Sequence, residues 1–176
     1  MVEERSGDTT RILLIGMVGA GKTTIGRELG ARTGWPYVDN DDLVRKLTGR
    51  EPQEIDATDG EDVLHLAEID ALDAALGLDP PVIVGVAAAV VTDLAAREAL
   101  RDGGHVVWLR ARPETLLERI GSGTGRRADA TDPAWLRAQL RAREPLYASV
   151  ASRIIDVDDS TPDEIAQRVR EGLPKP

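Results

Sequence analysis

Residues 12–24 read ILLIGMVGAGKTT, an apolar run that leads into a glycine-rich turn and then into lysine and two threonines. The run from Ile12 to Ile15 is typical of a strand buried on both faces, and a helical pattern begins near Lys22 and continues to about Thr33. The Walker A spacing, in the strand–turn–helix context that this motif requires, is met by Gly16, Gly19, Gly21, Lys22 and Thr23. A chance glycine turn before a helix is the alternative, and the match at every one of these positions argues against it.

The chemistry of phosphate binding explains why these residue types occur together. Glycines let backbone N–H groups converge on phosphate oxygens, and the start of a helix adds about half a positive charge. Lys22 can reach the β- and γ-phosphates of a nucleotide, and the hydroxyl of Thr23 can bind Mg²⁺. The motif therefore predicts ATP and Mg²⁺ as cofactors, with the nucleotide bound by Gly16, Gly19, Ala20, Gly21, Lys22, Thr23 and Thr24.

Two aspartates follow the next short apolar segment, Tyr37–Val38, which we interpret as a second strand. Ligands gather outside the carboxyl ends of parallel strands, and alternate residues of an extended segment point the same way. Asp39 and Asp41 can therefore both face the phosphate site. One carboxylate could hold Mg²⁺ through water, and the other could orient an acceptor hydroxyl and take its proton. A pair of aspartates that caps the next helix is the alternative.

Strands and helices alternate along the rest of the chain. This alternation predicts a parallel sheet covered by helices on both faces, in a single α/β domain over residues 1–176. Residues 121–131 are rich in glycine and charge, which is typical of a mobile loop. After the second strand, we predict strands at 82–86, 105–109 and 153–157, and helices at 42–47, from 60, at 93–100, from 113, at 133–143 and at 161–172.

The composition excludes several classes of protein. The 176 residues carry a formal net charge of −9 and no cysteine, which excludes disulfides and thiolate metal sites and argues against nucleic acid or an anionic membrane as partner. No apolar run approaches the roughly 20 residues of a membrane span, and the polar start is unlike a signal peptide. Aromatic residues make up 3%, so Leu, Val, Ile and Ala must fill the core. We expect a cytoplasmic monomer or weak homo-oligomer with a small-molecule partner, no nucleic acid and no membrane.

Together, the glycine turn and the aspartate pair resemble shikimate kinase, and the likeness runs from Arg11 to about Val169. It is strongest from Gly16 through Val44. The resemblance implies a three-layer P-loop kinase fold, with a five-stranded parallel sheet in the order 2-3-1-4-5, helices on both faces and a mobile lid at about 121–131. It also implies transfer of the ATP γ-phosphate to a hydroxyl of a small carboxylated ring.

The same resemblance assigns roles to individual residues. Gly60 and Glu61 match the start of the acceptor-binding helix, in an acceptor region of about 40–78. It implies catalytic roles for Lys22, Asp41 and Arg126, metal binding by Thr23 and Asp39, and nucleotide contacts by Arg119 and Pro162. Acceptor contacts are implied for Asp41, His65, Glu68, Ala88 and Arg143. Each of the three arginines has a plainer alternative as a solvated charge of a helix or loop.

The acceptor side of this chain departs from the family pattern. Leu64-His65 stands where the family usually has Phe-Arg, and a histidine cannot form the two-pronged contact of a guanidinium. Residues 87–89 are alanines where the family has three glycines. Their three Cβ atoms narrow the space beside this part of the acceptor site, called the acceptor wall below. Residues 127–128, Arg-Ala, replace the usual Pro-Leu of the lid. These departures favour a changed acceptor; a partly buried His65 and alanines that extend a helix start are the plainer alternatives.

Three functions stay open at the level of the sequence. The leading prediction is an ATP-dependent kinase that phosphorylates an alcohol group of shikimate or, in preference, of a related acceptor. The alternative is an ATP-binding paralogue without kinase activity, with a regulatory or partner-binding role. A nucleotide, gluconate or antibiotic kinase on the same scaffold is the third, and the Asp39-x-Asp41 spacing and the Arg143 segment argue mildly against it.

Overall fold

The structure is a computed structural model that describes residues 10–121 and 132–173. Arg126, together with residues 122–131 of the expected lid, lies outside the described residues.

Within the described residues, five parallel strands form one sheet in the order β2-β3-β1-β4-β5, which confirms the predicted order 2-3-1-4-5. The strands are β1 (Arg11–Ile15), β2 (Tyr37–Asp39), β3 (Val82–Gly85), β4 (His105–Arg110) and β5 (Arg153–Asp156). β1 is central, and its Leu14 pairs with Gly85 on one side and with Val107 on the other. The turn after β1 therefore opens at the middle of the carboxyl edge of the sheet, where parallel sheets bind ligands.

Helices cover both faces of this sheet, as predicted. They are α1 (Lys22–Thr33), α2 (Asn40–Thr48), α3 (Pro52–Asp59), α4 (Glu61–Leu76), α5 (Leu94–Gly103), α6 (Pro113–Gly121), α7 (Pro133–Val150) and α8 (Pro162–Glu171), with a 3-10 turn at Val90–Thr92. α1 leads from β1 back to the edge strand β2, whereas α5 leads from β3 in the opposite direction to β4. Right-handed crossovers put these two helices on opposite faces, and α8 packs against α1 while α7 packs against α5.

The helix prediction from sequence was wrong in two places. Helix α3, Pro52–Asp59, was not predicted, because Ile55 is its only buried aliphatic side chain and gives no periodic pattern. Helix α7 was predicted to end near Arg143 but continues to Val150. Pro145 removes one backbone hydrogen bond from this helix, and the buried residues on either side keep the same helical face against the core.

Aliphatic side chains fill the core, as the composition predicted. Ile12, Leu13 and Leu14 of β1 are fully buried, and Tyr147 and Trp108 are the buried aromatic residues of the described core. Their rings pack with centroids 5.6 Å apart. In the part of the chain that the structure describes, no helix combines the length and apolarity needed to cross a membrane.

Candidate active site

The turn after β1 has a backbone that only glycine adopts without strain. Gly16, Gly19 and Gly21 have φ angles of +142°, +83° and +96°. A Cβ atom on Gly16 would lie 2.5 Å from the carbonyl oxygen of Leu109, so this position is also closed sterically. These glycines shape a turn that leads directly into α1, whose N-cap residue Gly21 provides no side-chain hydrogen bond. The first amides of α1 are therefore not capped by that residue, which suits an anion such as phosphate.

Lys22 spans this turn from the first residue of α1. Its Nζ donates to the carbonyl oxygen of Gly16 at 2.7 Å and to that of Met17 at 3.1 Å. These contacts hold the ammonium group over the turn, next to the start of a helix. An anion bound at this turn would therefore be attracted both by the ammonium charge of Lys22 and by the partial positive charge at the start of α1.

Asp39, the last residue of β2, is held by three hydrogen bonds. Its Oδ2 accepts from the hydroxyl of Tyr37 at 2.7 Å and from the hydroxyl of Thr23 at 2.8 Å, and its Oδ1 accepts from the backbone N–H of Asp41 at 3.1 Å. Burial opposes ionisation of this carboxyl group, but the donors from Tyr37, Thr23 and Asp41 lower the pKa of Asp39 below its ordinary value. Asp39 is therefore an anion at neutral pH.

Asp41 does not occupy the alternate strand position on which its prediction was based. β2 ends at Asp39, and α2 begins at Asn40, so Asp41 lies in the first turn of a helix whose N-cap is Asp39. The capping alternative is correct for Asp39, yet both carboxylates still line one cavity together with Lys22 and Thr23. Helix geometry, and not strand alternation, brings Asp41 there.

Thr23 and Asp39 could hold a magnesium ion together with nucleotide phosphates. In residues 10–121 and 132–173, no three side chains of His, Cys, Asp or Glu cluster as a metal site of their own. Mg²⁺ commonly binds proteins through one or two carboxylates and keeps several waters or phosphate oxygens. The turn after β1, residues 16–21, is called the phosphate turn below. The Thr23 hydroxyl and the Asp39 carboxylate next to this turn fit that pattern.

One cavity of about 1060 Å³ joins the phosphate turn to the predicted acceptor region. The predicted site residues that line it are Gly19, Gly21, Lys22, Thr23, Thr24, Asp39, Asp41, His65, Glu68, Ala88, Arg119 and Arg143. Gly16, Ala20 and Pro162 are not among its lining residues; Pro162 is the first residue of α8. Arg126 falls outside the described residues. The cavity thus brings the two halves of the predicted site together.

Arg143 is not the surface charge that its plainer alternative supposed. It is 8% exposed, lines the cavity and has its Nη1 3.9 Å from the sulfur of Met17. Its Nε has no hydrogen-bond partner among the described residues. Because a buried guanidinium without a bound anion is costly, its position suits an anionic group of a ligand.

Arg119 also departs from its plainer alternative. It lies in the last turn of α6, with Nη1 3.5 Å from the carbonyl oxygen of Gly19 and 3.4 Å from that of Ala20. Its Nη2 donates to the carbonyl oxygen of Val157 at 3.1 Å. The guanidinium therefore connects the phosphate turn to the segment after β5, at the edge of the cavity.

The imidazole ring of His65 lies near the side chains of Thr92 and Glu68. Its Nε2 is 3.3 Å from the hydroxyl of Thr92, and its Nδ1 is 3.9 Å from Glu68 Oε2, which is an ion-pair distance and too long for a hydrogen bond. The Glu68 carboxylate raises the pKa of His65 above its ordinary value, while burial and Arg143 oppose that change. His65 is therefore more easily protonated than an ordinary histidine, and it lies near the buried Arg143.

The three alanines form part of the cavity wall. Residues 87–89 all line it, and among the described residues no residue other than glycine has a positive φ. Ala88 is fixed by its carbonyl oxygen, which accepts a 2.7 Å hydrogen bond from the hydroxyl of Tyr147. The alanines do not extend a helix; a turn leads to the 3-10 residues Val90–Thr92.

Sequence reasoning missed several residues of this site. The hydroxyl of Tyr37 and the sulfur of Met17 were not assigned a role, and helix α3 supplies Pro52, Gln53, Asp56 and Ala57 to the cavity wall. A signal existed for Tyr37, because it stands two residues before Asp39 and so on the same side of a strand. No comparable signal marked Met17 or α3.

Several known proteins are similar to this chain over most of its length. The family model described as shikimate kinase matches residues 18–174. The shikimate kinase of Moorella thermoacetica is 37% identical over 163 residues, covering 92% of this chain and 93% of that protein. The enzyme of Symbiobacterium thermophilum is 39% identical over 166 residues, covering 92% and 95%. The structure of shikimate kinase from Acinetobacter baumannii in complex with shikimate superposes with a TM-score of 0.81 at 27% identity, covering 92% of this chain and 91% of that one. The chain therefore belongs to the shikimate kinase family and is an ATP-dependent small-molecule kinase that transfers phosphate to a hydroxyl group.

Proposed function

We propose that this kinase phosphorylates a small, hydroxyl-rich acceptor that is related to shikimate but differs from it. The observation that carries the proposal is that the phosphate turn and Asp41 line the same cavity as the altered acceptor wall, residues 87–89. When ATP and the acceptor bind in one cavity, the acceptor hydroxyl can lie next to the γ-phosphate. Such positioning is a main part of the catalysis of phosphoryl transfer.

At the nucleotide end, the turn residues and Lys22 would bind the phosphates of ATP, with Gly16, Ala20, Thr24, Arg119 and Pro162 as further proposed contacts. Thr23 and Asp39 would hold Mg²⁺, the latter through water. When bound, Mg²⁺ would neutralise charge on the β- and γ-phosphate oxygens. Arg126 of the proposed lid would add a second positive charge there.

At the acceptor end, Asp41 would orient the attacking hydroxyl and take its proton. It lies in the first turn of α2, two residues after the carboxylate that would hold the metal. A carboxylate in this place keeps the hydroxyl close to the phosphate turn, and general-base assistance then requires only a short proton transfer. His65, Glu68, Ala88 and Arg143 would form the rest of the acceptor site.

The charges of the acceptor end favour a ligand with many hydrogen-bond donors. Carboxylates of the cavity wall at this end are Asp41, Asp56, Glu61, Asp62 and Glu68, whereas the cationic side chains are Arg143 and the titratable His65. Carboxylates accept hydrogen bonds and repel another carboxylate, so hydroxyl groups fit them and a second anionic group does not. Among the described residues, this end carries one permanent cation, Arg143, so it suits an acceptor with a single anionic group.

A coupled assay of ADP release tests this function. The purified chain is given ATP, Mg²⁺ and one acceptor at a time from a panel of shikimate, quinate, inositol, gluconate and glucosamine. We expect turnover with a polyhydroxylated compound that exceeds turnover with shikimate. Fastest turnover with shikimate would contradict the changed acceptor, and ATP binding without turnover on a wide panel would support the paralogue without kinase activity.

A further inference from the structure

Tyr37 is one of three hydrogen-bond donors to Asp39. Its hydroxyl donates at 2.7 Å to the same Oδ2 that accepts from Thr23 at 2.8 Å, while Oδ1 accepts from the N–H of Asp41 at 3.1 Å. An ionised carboxylate has about four lone-pair sites, so these three donors leave about one for a further donor such as a metal-bound water. The carboxylate is therefore fixed in orientation before any ligand arrives.

A slot between two glycines seats the Tyr37 ring. A Cβ atom on Gly26 of α1 would lie 2.1 Å from the ring, and one on Gly85 of β3 would lie 2.3 Å from the hydroxyl oxygen. Neither glycine has a positive φ, so the backbone itself does not require glycine there. A glycine inside a helix costs about 1 kcal/mol relative to alanine. The ring of Tyr37 supplies the steric reason for both residues.

The Tyr37 hydroxyl lies beside both Asp39 and Thr23, and it donates its hydrogen to Asp39. A tyrosine hydroxyl is ordinarily protonated at neutral pH, so the phenol of Tyr37 can donate to the Asp39 carboxylate at 2.7 Å. Thr23, the other donor to Oδ2, can keep donating its hydrogen while its oxygen lone pairs face a metal. Tyr37 acts on the site through Asp39, to which it donates.

We infer that Tyr37 is a positioning residue for the metal: its hydroxyl holds the Asp39 carboxylate in the orientation that binds Mg²⁺ through water. The inference rests on the proposed function, in which Thr23 and Asp39 hold Mg²⁺ with ATP. Tyr37 itself touches neither the metal nor the reacting atoms in this scheme. Its effect is confined to metal-dependent nucleotide binding and to the steps that need the metal.

The test compares ADP binding with and without Mg²⁺ by titration calorimetry. Tyr37→Phe removes the hydroxyl and keeps the ring in its slot. We expect ADP affinity without Mg²⁺ to stay within about twofold of the unmodified chain, and ADP affinity with Mg²⁺ to fall about three- to tenfold, the usual effect of one lost hydrogen bond. Mn²⁺ bound with ADP, followed by electron paramagnetic resonance, gives a second readout of the metal that does not depend on turnover.

Two further variants make the comparison specific. Thr48→Val removes a hydroxyl that donates to the carbonyl oxygen of Val44 outside the cavity, and it should leave both ADP affinities unchanged. Gly85→Ala places a methyl group against the Tyr37 hydroxyl and should displace it from Asp39. This variant should therefore also lower ADP affinity in the presence of Mg²⁺. Thermal melting of each variant reports whether the fold is retained.

The outcomes separate this inference from the proposed function. Equal loss of ADP affinity with and without Mg²⁺ in Tyr37→Phe, or no loss in either, would overturn the inference while leaving the kinase assignment intact. Failure of the unmodified chain to bind ADP with Mg²⁺ would overturn both. A Mg²⁺-dependent loss in Tyr37→Phe and Gly85→Ala, absent in Thr48→Val, supports the positioning role.

Discussion

The hydroxyl of Tyr147 donates a 2.7 Å hydrogen bond to the backbone carbonyl of Ala88 and so joins helix α7 to the acceptor wall. Tyr147 is fully buried, and its hydroxyl also lies 3.7 Å from the sulfur of Met17 in the phosphate turn. Arg143 stands one helical turn earlier on α7 and contacts the same sulfur. Arg143 and Tyr147 therefore both contact Met17 of the phosphate turn, and Tyr147 also binds Ala88 of the acceptor wall.

Loss of this hydrogen bond should weaken acceptor binding more than nucleotide binding. In Tyr147→Phe, the carbonyl of the partly buried Ala88 loses its donor, which should lower the free energy of unfolding by about 1 kcal/mol. We expect KM for the acceptor to rise several-fold, with KM for ATP nearly unchanged, because Ala88 lines the acceptor end. Denaturant unfolding and steady-state kinetics measure the two effects. Equal rises in both KM values would argue against a role confined to the acceptor wall.

Removal of the lysine ammonium should abolish phosphate transfer. Lys22 holds its charge over the phosphate turn through the carbonyls of Gly16 and Met17, and a lost electrostatic contact of this kind costs about a hundredfold or more in kcat. Lys22→Ala should therefore leave little ADP release, while Lys46→Ala, at an exposed lysine of α2, should retain full activity. Normal turnover in Lys22→Ala would remove the phosphate turn from the mechanism.

The positions of the strands followed from local signals, whereas helix α3 and the end of helix α7 did not. Buried apolar runs mark β1, β3 and β4 most clearly, and the family resemblance implied the order of the sheet. Helix α3 has one buried aliphatic side chain, so its stability comes from tertiary packing against α4, which no local pattern records. The extension of α7 past Pro145 likewise depends on packing around Tyr147, which outweighs one missing hydrogen bond.

The site could be predicted where its chemistry lies in short motifs. Lys22, Thr23 and Asp39 were found by spacing, and the structure brings all three together. The partners that orient them come from separate elements: the slot for Tyr37 requires glycines of α1 and β3, and the surroundings of Arg143 require the turn after β1. Contacts of this kind depend on three-dimensional packing and leave no spacing signal in one sequence.

Neutralising Asp41 should reduce turnover far more than ATP affinity. Asp41→Asn keeps the shape of the side chain but removes the charge that would accept the acceptor proton, and general-base assistance commonly contributes about 10²–10⁴-fold. Asp42→Asn is the matched control, because Asp42 is exposed and pairs with Arg45 at 2.7 Å on the outer face of α2. Fluorescence titration with ATP and the coupled assay report the two quantities. Equal loss of both in Asp41→Asn would assign Asp41 to the nucleotide side.

The two histidines should titrate in opposite directions from the ordinary value of 6.5. Glu68, with a contribution from Asp93, raises the pKa of His65 despite burial and Arg143, whereas burial and Arg153 lower the pKa of His105. A raised pKa in the folded state means that protonated His65 stabilises the fold below pH 6.5, and this contribution is lost as pH rises through the raised pKa. Histidine NMR titration, with His65→Gln for assignment, measures both values. A pKa of His65 below 6.5 would contradict the Glu68 effect.

Restoring the family residues at the acceptor wall should raise activity on shikimate. The combined variant carries His65→Arg with glycine at each of positions 87–89, which returns a guanidinium beside Arg143 and removes three Cβ atoms from the wall. A restored charge pair contributes a few kcal/mol, so kcat/KM for shikimate should rise about a hundredfold. Leu66→Arg is the control for added charge, since Leu66 is 63% exposed on the same helix and should leave shikimate activity unchanged. An equal response to both variants, or no gain in the combined one, would mean that His65 and the alanines do not set the choice of acceptor.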